Sequence, residues 1–191
     1  MYIFANIDDC ALIINDFLPT DLFKKIVNFN YNVTLDSHVE WDKTLYKDNQ
    51  GAVTMKNVKF SDALGIIEKE KVKAINPIFE DFLKTIIQCP FMPYQKQSSI
   101  RCCYYEYDKF SGINWHNDGD YTLNYSFYIH DEWNENWGGE TIIDTGRGLP
   151  LSVKPTPNSL VAVKNNIEHK VSSIIGPKKR KVLQVRGVFY E

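Results

Sequence analysis

The chain has 191 residues, which fits one domain large enough to bury its own hydrophobic core. Its hydrophobic fraction of 43% and its aromatic fraction of 14% exclude a disordered chain. The net charge of −2 and the pI of about 6.1 leave the chain without the global basic field that draws proteins to nucleic acid or acidic membranes.

The first part of the chain carries helix signals. Residues 12–18 are predicted to form a short strand, and Pro19 then marks the start of a helix with Thr20 as its N-cap. The apolar residues of this helix recur at helical spacing, at Leu22, Phe23, Ile26 and Val27. Residues 31–60 are polar and mixed, which is typical of either a strand pair or a loop over a binding site.

A second helical region is predicted over residues 61–88. Ser61 or Asp62 is the expected cap, and Pro77 is expected to break or restart the helix because proline lacks a backbone N–H. Apolar residues recur at helical spacing along the region, at Ile66, Ile67, Val72, Ile75, Ile78, Phe79, Phe82, Leu83, Ile86 and Ile87.

From about Ser98 the pattern changes to short β-branched or aromatic segments separated by Gly, Pro, Asn and Asp. The predicted strands are 98–107, 121–130, 139–144, 150–153, 159–164, 169–175 and 180–190. Many short strands after a helical layer indicate a mainly β fold with N-terminal helices and a double-stranded β-helix, or jelly-roll, core. We expect one domain over 1–191, with a helical buttress and the first strands in 1–95 and the jelly-roll core in 96–191.

The cysteines carry no metal-ligand spacing; they are Cys10, Cys89, Cys102 and Cys103. Cys102 and Cys103 are neighbours in a predicted strand and point to opposite faces, which disfavours a disulfide between them. No apolar run reaches the roughly 20 residues that span a bilayer, and the acidic start MYIFANIDDC is unlike a signal peptide. These features predict a cytoplasmic protein with reduced thiols and no membrane span.

His116 and Asp118, together with the later His169, are the most informative residues of the chain. Residues at i and i+2 of an extended segment point to the same side. A distant histidine can then complete a face of two histidines and one carboxylate around a metal, which leaves half of an octahedron open. Non-haem iron(II) oxygenases use such a face. The H-x-D motif alone is weak, and a surface turn is its alternative interpretation.

Polar side chains at alternate positions of two strands predict a lined cavity inside the barrel. In the strand over 121–130 they are Asn124, Ser126, Tyr128 and His130, the last of which is expected to be structural or exposed. In the last strand Val182 shares a face with Arg180, Gln184 and Arg186. An arginine placed like Arg180 can hold a carboxylate through two parallel hydrogen bonds, with Tyr128 as a second donor.

These stretches resemble the iron(II)- and 2-oxoglutarate-dependent dioxygenases, and most of all the prolyl 4-hydroxylase-like group. The similarity runs in order from YYEYDKFSGINWHND through SFYIHDEWNENWGGETII and PTPNSLVAVKNNIEHKV to RKVLQVRGVF. The opening LIINDFLPTDLFKKIV also resembles the strand and helix that begin the family fold. The turn at Trp133 and Gly138–Gly139 matches the family turn after the tyrosine-bearing strand.

The resemblance implies a role for particular residues. The iron ligands would be His116, Asp118 and His169. The distal carboxylate of 2-oxoglutarate would be held by Arg180 and Tyr128, and the family tyrosine near the iron would be Tyr105 or Tyr107. No catalytic residue beyond the metal centre is expected.

The chain departs from the family pattern in two places. Val182 stands where a serine or alanine is usual two residues after the arginine, and the interval between the distal histidine and the arginine is slightly long. Lys178, Lys179 and Arg186 therefore stay open as alternative partners of the carboxylate.

The resemblance implies hydroxylation of a C–H bond, with Fe²⁺ and 2-oxoglutarate as cofactor and co-substrate, release of succinate and CO₂, and ascorbate as an accessory reductant. A peptide or protein substrate, at a prolyl residue, is the expected partner. Three alternatives remain: hydroxylation of a free amino acid or small metabolite, demethylation of nucleic acid, which the pI disfavours, and a non-enzymatic cupin-like metal-binding module. The sequence predicts no oligomeric state.

Overall fold

The computed structural model describes residues 4–7, 10–32, 58–68, 71–89, 99–118, 123–164 and 166–188. The elements before residue 90 are β1 Phe4–Ile7, β2 Ala11–Ile14, α1 Thr20–Val27, β3 Val58–Phe60, β4 Gly65–Glu68, β5 Lys71–Ala74 and α2 Pro77–Ile87. The later strands are β6 Ser99–Tyr107, β7 Ile113–His116, β8 Leu123–Tyr128, β9 Thr141–Ile143, β10 Leu151–Val153, β11 Leu160–Lys164, β12 His169–Val171 and β13 Arg180–Val188. A 3₁₀ turn, Glu135–Trp137, lies between β8 and β9.

The strands of the described residues form two antiparallel sheets. The major sheet has the order β1-β2-β11-β8-β13-β6-β4-β5, with β3 paired to β6 as well, and the minor sheet has the order β10-β9-β12-β7. From β6 onward the chain alternates between the sheets, apart from the hairpin β9–β10. This is the topology of a jelly roll, so the predicted fold class is confirmed.

Both helices pack against the outer face of the major sheet. Helix α2 begins after Asn76, whose side chain accepts a hydrogen bond from the Ile78 N–H, with Pro77 in the first turn. The apolar stripes of the helices join the outward-facing strand residues in a first core that includes Ile26, Phe79, Phe82, Leu83, Ile86, Tyr125, Phe127, Leu183 and Val185. The helices therefore form the expected buttress, and they leave the other face of the sheet for the barrel interior.

The second core lies between the two sheets. It contains the alternate residues of the same strands, among them Tyr107, Tyr128 and Val182, together with Ile143 and Val171 from the minor sheet. Because side chains alternate along a strand, Asn124, Ser126 and Gln184 share this inner face with Tyr128. The predicted polar lining of β8 and β13 thus faces the barrel interior.

The predicted helix over 61–88 is wrong in its first half. Residues 65–68 and 71–74 form the hairpin β4–β5, and β4 extends the major sheet beside β6. β-Branched residues such as Ile66 and Val72 favour a pleated surface, and the pairing with β6 satisfies the β4 backbone. The expected restart at Pro77 is correct, but Asn76 rather than Ser61 or Asp62 caps the helix.

Other predicted boundaries shift by a few residues. The first predicted strand, 12–18, forms over Ala11–Ile14 only. Thr20 is the first helical residue of α1 and makes no side-chain cap. The strand Ile113–His116 had no counterpart among the predicted segments. The prediction for residues 31–60 falls mostly outside the described residues, and the single domain over 1–191 stays a prediction. Within the described part of the chain, no helix is long and apolar enough to cross a membrane.

Candidate metal centre

The three predicted ligands meet at one end of the minor sheet. His116 is the last residue of β7, His169 is the first residue of β12, and the two are direct partners in the antiparallel ladder. Asp118 follows β7 by two residues. One ligand atom from each of the three side chains lies within 4.8 Å of the others. The fold therefore brings together two imidazoles and one carboxylate that can hold a metal ion.

Backbone contacts fix which nitrogen each imidazole offers. His116 Nδ1 lies 2.8 Å from the Asn114 carbonyl oxygen, and His169 Nδ1 lies 3.0 Å from the Ile167 carbonyl oxygen. A carbonyl oxygen accepts only, so each Nδ1 carries the hydrogen and donates it. Each Nε2 then keeps its lone pair for a metal, which is the usual outer support of a histidine ligand.

The surroundings of His116 favour its neutral imidazole, which is the form that binds a metal cation. Burial, together with the nearby His169, lowers the pKa of His116 to about 4. The His116 imidazole is therefore neutral near pH 7, the form that binds a metal. His169 Nε2 lies 3.4 Å from Asp118 Oδ2. The donor set of two imidazoles and one carboxylate with open positions fits iron(II).

A buried arginine lies on the inner face of the major sheet. Arg180, at the start of β13, is 2% exposed. Its Nη2 donates to Thr141 Oγ1 at 3.1 Å and to the Tyr128 hydroxyl at 3.3 Å, and these two hydroxyls lie 2.8 Å apart. The guanidinium carbon lies 4.9 Å from the ring centroid of Tyr107.

Among the described residues, the buried Arg180 guanidinium has hydrogen-bond partners but no anionic partner. Its Nε makes no hydrogen bond within the described part of the chain, and no carboxylate among those residues pairs with it. A buried cation is costly unless an anion and hydrogen bonds compensate it. The pocket around Arg180, Tyr128 and Thr141 therefore fits the carboxylate of a bound anion.

The alternative partners of that carboxylate are engaged elsewhere. Lys178 Nζ pairs with Glu132 at 2.7 Å, and Lys179 Nζ pairs with Glu106 at 2.5 Å. Arg186 faces the metal end, where its Nη2 lies 3.6 Å from Asp118 Oδ1. Arg180 thus remains the arginine that meets Tyr128.

Tyr105 and Tyr107 both lie on the inner face of β6, but they contact different arginines of β13. Tyr107 is buried opposite Arg180 in the β6–β13 ladder. The Tyr105 ring centroid lies 5.8 Å from the Arg186 guanidinium, which in turn contacts Asp118. Tyr105 is therefore the tyrosine on the metal side, whereas Tyr107 covers the arginine pocket.

The predicted turn at Gly138–Gly139 shapes the wall beside Arg180. Both glycines have positive φ, 72° and 76°. A Cβ on Gly139 would lie 3.0 Å from the Trp133 ring and 3.3 Å from Arg180 Cδ. Glycine is needed there both for the backbone conformation and for the close approach to the arginine.

Thr141 is a further residue of the site that was not predicted from the sequence. It lies on β9, where pairing with β12 turns it toward the interior. The only signal in the sequence is its position two residues after the glycine pair, within a predicted strand. Asn124, Gln184 and Ser126 were noticed as a polar face only; in the structure they are linked by hydrogen bonds to Asp118.

A groove opens on the outer face of the minor sheet, opposite the inner face to which His116 points. It has a volume of about 340 Å³ and is lined by Trp115, Asp144, Gly146, Gly148 and Pro150. Trp115, the neighbour of His116, is 39% exposed, and Lys170 Nζ lies 4.9 Å from its ring centroid. An exposed tryptophan next to a candidate ligand in the sequence offers an apolar platform to a bound chain.

His130 is buried, which agrees with its expected structural role. Its Nε2 lies 2.6 Å from the Pro155 carbonyl oxygen, and its ring packs 4.6 Å from Trp133. Burial lowers the pKa of His130 to about 4, and the nearby Arg180 acts in the same direction. The folded protein therefore carries a neutral imidazole here at pH values where the unfolded chain is already protonated.

We expect the free energy of unfolding to fall as the pH falls from about 6.5 to about 4, because only the unfolded chain binds the proton in that window. The His130 share is about 3 kcal/mol, at about 1.4 kcal/mol for each unit of pKa difference. Urea unfolding at several pH values, with a chelator present, measures it. In His130→Gln the amide can still donate to Pro155, and the pH dependence should be flatter than in wild type; an unchanged slope would contradict this assignment.

Comparison with known proteins agrees with this geometry. A family model described as the 2OG-Fe(II) oxygenase superfamily matches residues 102–185, which include all three candidate ligands and Arg180. No curated protein sequence matches the chain. The resemblance that the sequence predicted to this family is therefore confirmed over residues 102–185.

Solved structures share the fold at low sequence identity. A 2OG-Fe(II) oxygenase family oxidoreductase from Burkholderia pseudomallei aligns with a TM-score of 0.64 and 12% identity, over 94% of this chain and 84% of that chain. A Pseudomonas putida prolyl-4-hydroxylase aligns with a TM-score of 0.61 and 14% identity, over 95% and 93%. A Trichoplax adhaerens prolyl hydroxylase, solved with a hypoxia inducible factor peptide fragment, aligns with a TM-score of 0.61 and 15% identity, over 93% and 83%.

Proposed function

Because residues 102–185 carry the pattern of the 2OG-Fe(II) oxygenase superfamily, we propose that the protein is an iron(II)- and 2-oxoglutarate-dependent dioxygenase. It hydroxylates a C–H bond and converts 2-oxoglutarate to succinate and CO₂. The observation that carries the proposal is a two-histidine, one-carboxylate cluster at the end of the minor sheet together with the buried Arg180 on the inner face of the major sheet. A metal-binding cupin-like module would not need that arginine.

Each residue of the cavity has a binding or orienting task. His116, Asp118 and His169 hold the metal through two Nε2 atoms and a carboxylate. Arg180 and Tyr128 would hold the distal carboxylate of 2-oxoglutarate. When bound, iron(II) and 2-oxoglutarate supply the oxidising chemistry with dioxygen.

The cavity walls contribute shielding. Tyr107 and Tyr128 cover the Arg180 guanidinium from two sides at 4.9 and 5.0 Å. The aromatic rings exclude water from the charge-assisted bond to the carboxylate, which strengthens it. Protein groups thus set the position of the co-substrate and the dryness of the site, as is usual where a cofactor carries the chemistry.

We propose a peptidyl prolyl residue as the substrate. Two of the structures that share the fold are prolyl hydroxylases, and one of them holds a peptide. The groove lined by Trp115, the residue before His116 in β7, offers an aromatic platform to an extended chain. A polyproline-like segment enters such a groove with little loss of conformational entropy. The net charge of −2 also suits a peptide better than a polyanion.

A free amino acid or small carboxylate metabolite is the second candidate substrate. It is favoured by Arg186, whose guanidinium lies at the metal end of the cavity, 3.6 Å from Asp118. A cation at that place can hold the carboxylate of a small substrate near the metal. A peptidyl residue has no such carboxylate, so the two substrate classes place different demands on Arg186.

The function is tested by turnover. We expect the protein, supplied with iron(II), ascorbate and 2-oxoglutarate, to release succinate without added substrate and faster with proline-containing peptides. Mass spectrometry should show a gain of one oxygen on the peptide. Asp118→Ala is the matched control without activity. A gain of oxygen on free amino acids or nucleobases, with none on any peptide, would overturn the prolyl assignment; no succinate under any condition would overturn the dioxygenase proposal.

A further inference from the structure

A line of polar side chains connects the inner face of the major sheet to Asp118. Ser126 Oγ donates to Gln184 Oε1 at 2.9 Å, Gln184 Nε2 donates to Asn124 Oδ1, and Asn124 Nδ2 donates to Asp118 Oδ2. Asn124 is 7% exposed and Gln184 is 8% exposed. The proposed function assigns no task to these two amides.

The direction of these hydrogen bonds follows from the chemistry of the last acceptor. An ionised carboxylate only accepts, so Asn124 must turn its NH₂ group toward Asp118. Its carbonyl oxygen then faces Gln184, which must donate in turn, and the Gln184 carbonyl oxygen is left for the Ser126 hydroxyl. Each donor therefore points toward Asp118, and neither amide can flip without setting two acceptors against each other.

We propose that Asn124 and Gln184 are positioning residues that hold the Asp118 carboxylate in the orientation required of a metal ligand. The inference rests on the proposed metal-binding role of Asp118. Strand pairing supports it, because β8 and β13 hold the two amides side by side: Gln184 pairs with Ser126, and Arg186 pairs with Asn124. A carboxylate outside regular secondary structure is thus tied to two central strands of the major sheet.

The decisive variant is Gln184→Glu, which keeps the size of the side chain and replaces the donor with an acceptor. Asn124 must then turn its NH₂ group to Glu and its carbonyl oxygen to Asp118. We expect the affinity for cobalt(II), used as the probe metal, to fall roughly 10–100-fold, as is typical when the outer partner of a ligand is lost. Simple Coulomb attraction predicts the opposite sign, because an added negative charge near the site should tighten cation binding.

The matched controls separate orientation from general damage. Gln184→Met removes the donor without supplying an acceptor, and we expect a smaller loss than in Gln184→Glu. Ser126→Ala removes only the far end of the line, and we expect a loss below about tenfold, in keeping with one neutral hydrogen bond. Asn124→Asp sets a second carboxylate against Asp118 and should resemble Gln184→Glu.

Cobalt(II) titration followed by visible absorption and calorimetry is the measurement, together with thermal unfolding of the metal-free proteins. Binding in Gln184→Glu that equals or exceeds wild type would overturn the positioning role. If all four variants lose the same affinity for cobalt(II), in proportion to their unfolding temperatures, then these side chains have only a structural role and the positioning role is wrong. If wild type and Asp118→Ala both fail to bind cobalt(II), it is the proposed function that fails.

Discussion

Replacing Asp118 with alanine is expected to abolish stoichiometric iron(II) binding and succinate release while the protein stays folded. The carboxylate is one of the three proposed ligands, so its loss should exceed the roughly 10–100-fold effect of losing an outer contact. The fold should survive because Asp118 lies outside the strands and both hydrophobic cores. Its removal leaves the jelly roll and the helical layer in place.

Calorimetric titration with iron(II) under anaerobic conditions measures this effect, with circular dichroism as the check on folding. His116→Ala should behave in the same way. A useful control is Asp144→Asn, which changes a carboxylate in the groove outside the minor sheet and should keep full metal binding. Stoichiometric iron with full activity in Asp118→Ala would remove Asp118 from the ligand set. Zinc or manganese in a preparation would not, because affinity alone does not favour iron(II).

The alternation of side chains along strands explains why much of this site is predictable from the sequence. In β8 and β13 every second residue faces the interior, so Tyr128 and Arg180 can be placed in one cavity from their strand positions. His116 and Asp118 follow the same rule at the end of β7. The spacing of polar residues in strands therefore predicts which side chains face the barrel interior, even where overall sequence identity to known structures is low.

Long-range pairing explains what the sequence could not supply. Thr141 reaches Arg180 only because β9 pairs with β12, and nothing in its neighbourhood along the chain marks that contact. The segment 61–74 has apolar residues that fit either a helix or two strands. The strands form because β4 can pair with the edge of β6. Tertiary pairing overrides the local period at such short apolar segments.

Replacing Arg180 is expected to raise the dissociation constant for 2-oxoglutarate sharply. Loss of a charge-assisted partner of a buried carboxylate costs about 1.5–3 kcal/mol, which corresponds to roughly 10–150-fold in affinity. Arg180→Ala tests this directly. Lys178→Ala is the matched control, since Lys178 lies nearby in sequence but is half-exposed and paired with Glu132. An unchanged affinity in Arg180→Ala, with a lost affinity in Arg186→Ala, would show that the other arginine holds the co-substrate.

A second substitution distinguishes lost binding from lost folding. Arg180→Met keeps most of the side-chain volume and removes a buried charge that has no carboxylate partner among the described residues. Because such a charge costs free energy in the folded state, we expect the metal-free variant to unfold at the same temperature as wild type or higher. In wild type, saturating 2-oxoglutarate together with manganese(II) should raise the unfolding temperature, because a ligand that binds only the folded state stabilises it. Arg180→Met should lose most of that increase. A large fall in the unfolding temperature of the metal-free variant would instead mean that Arg180 is held by partners within the protein and has a structural role.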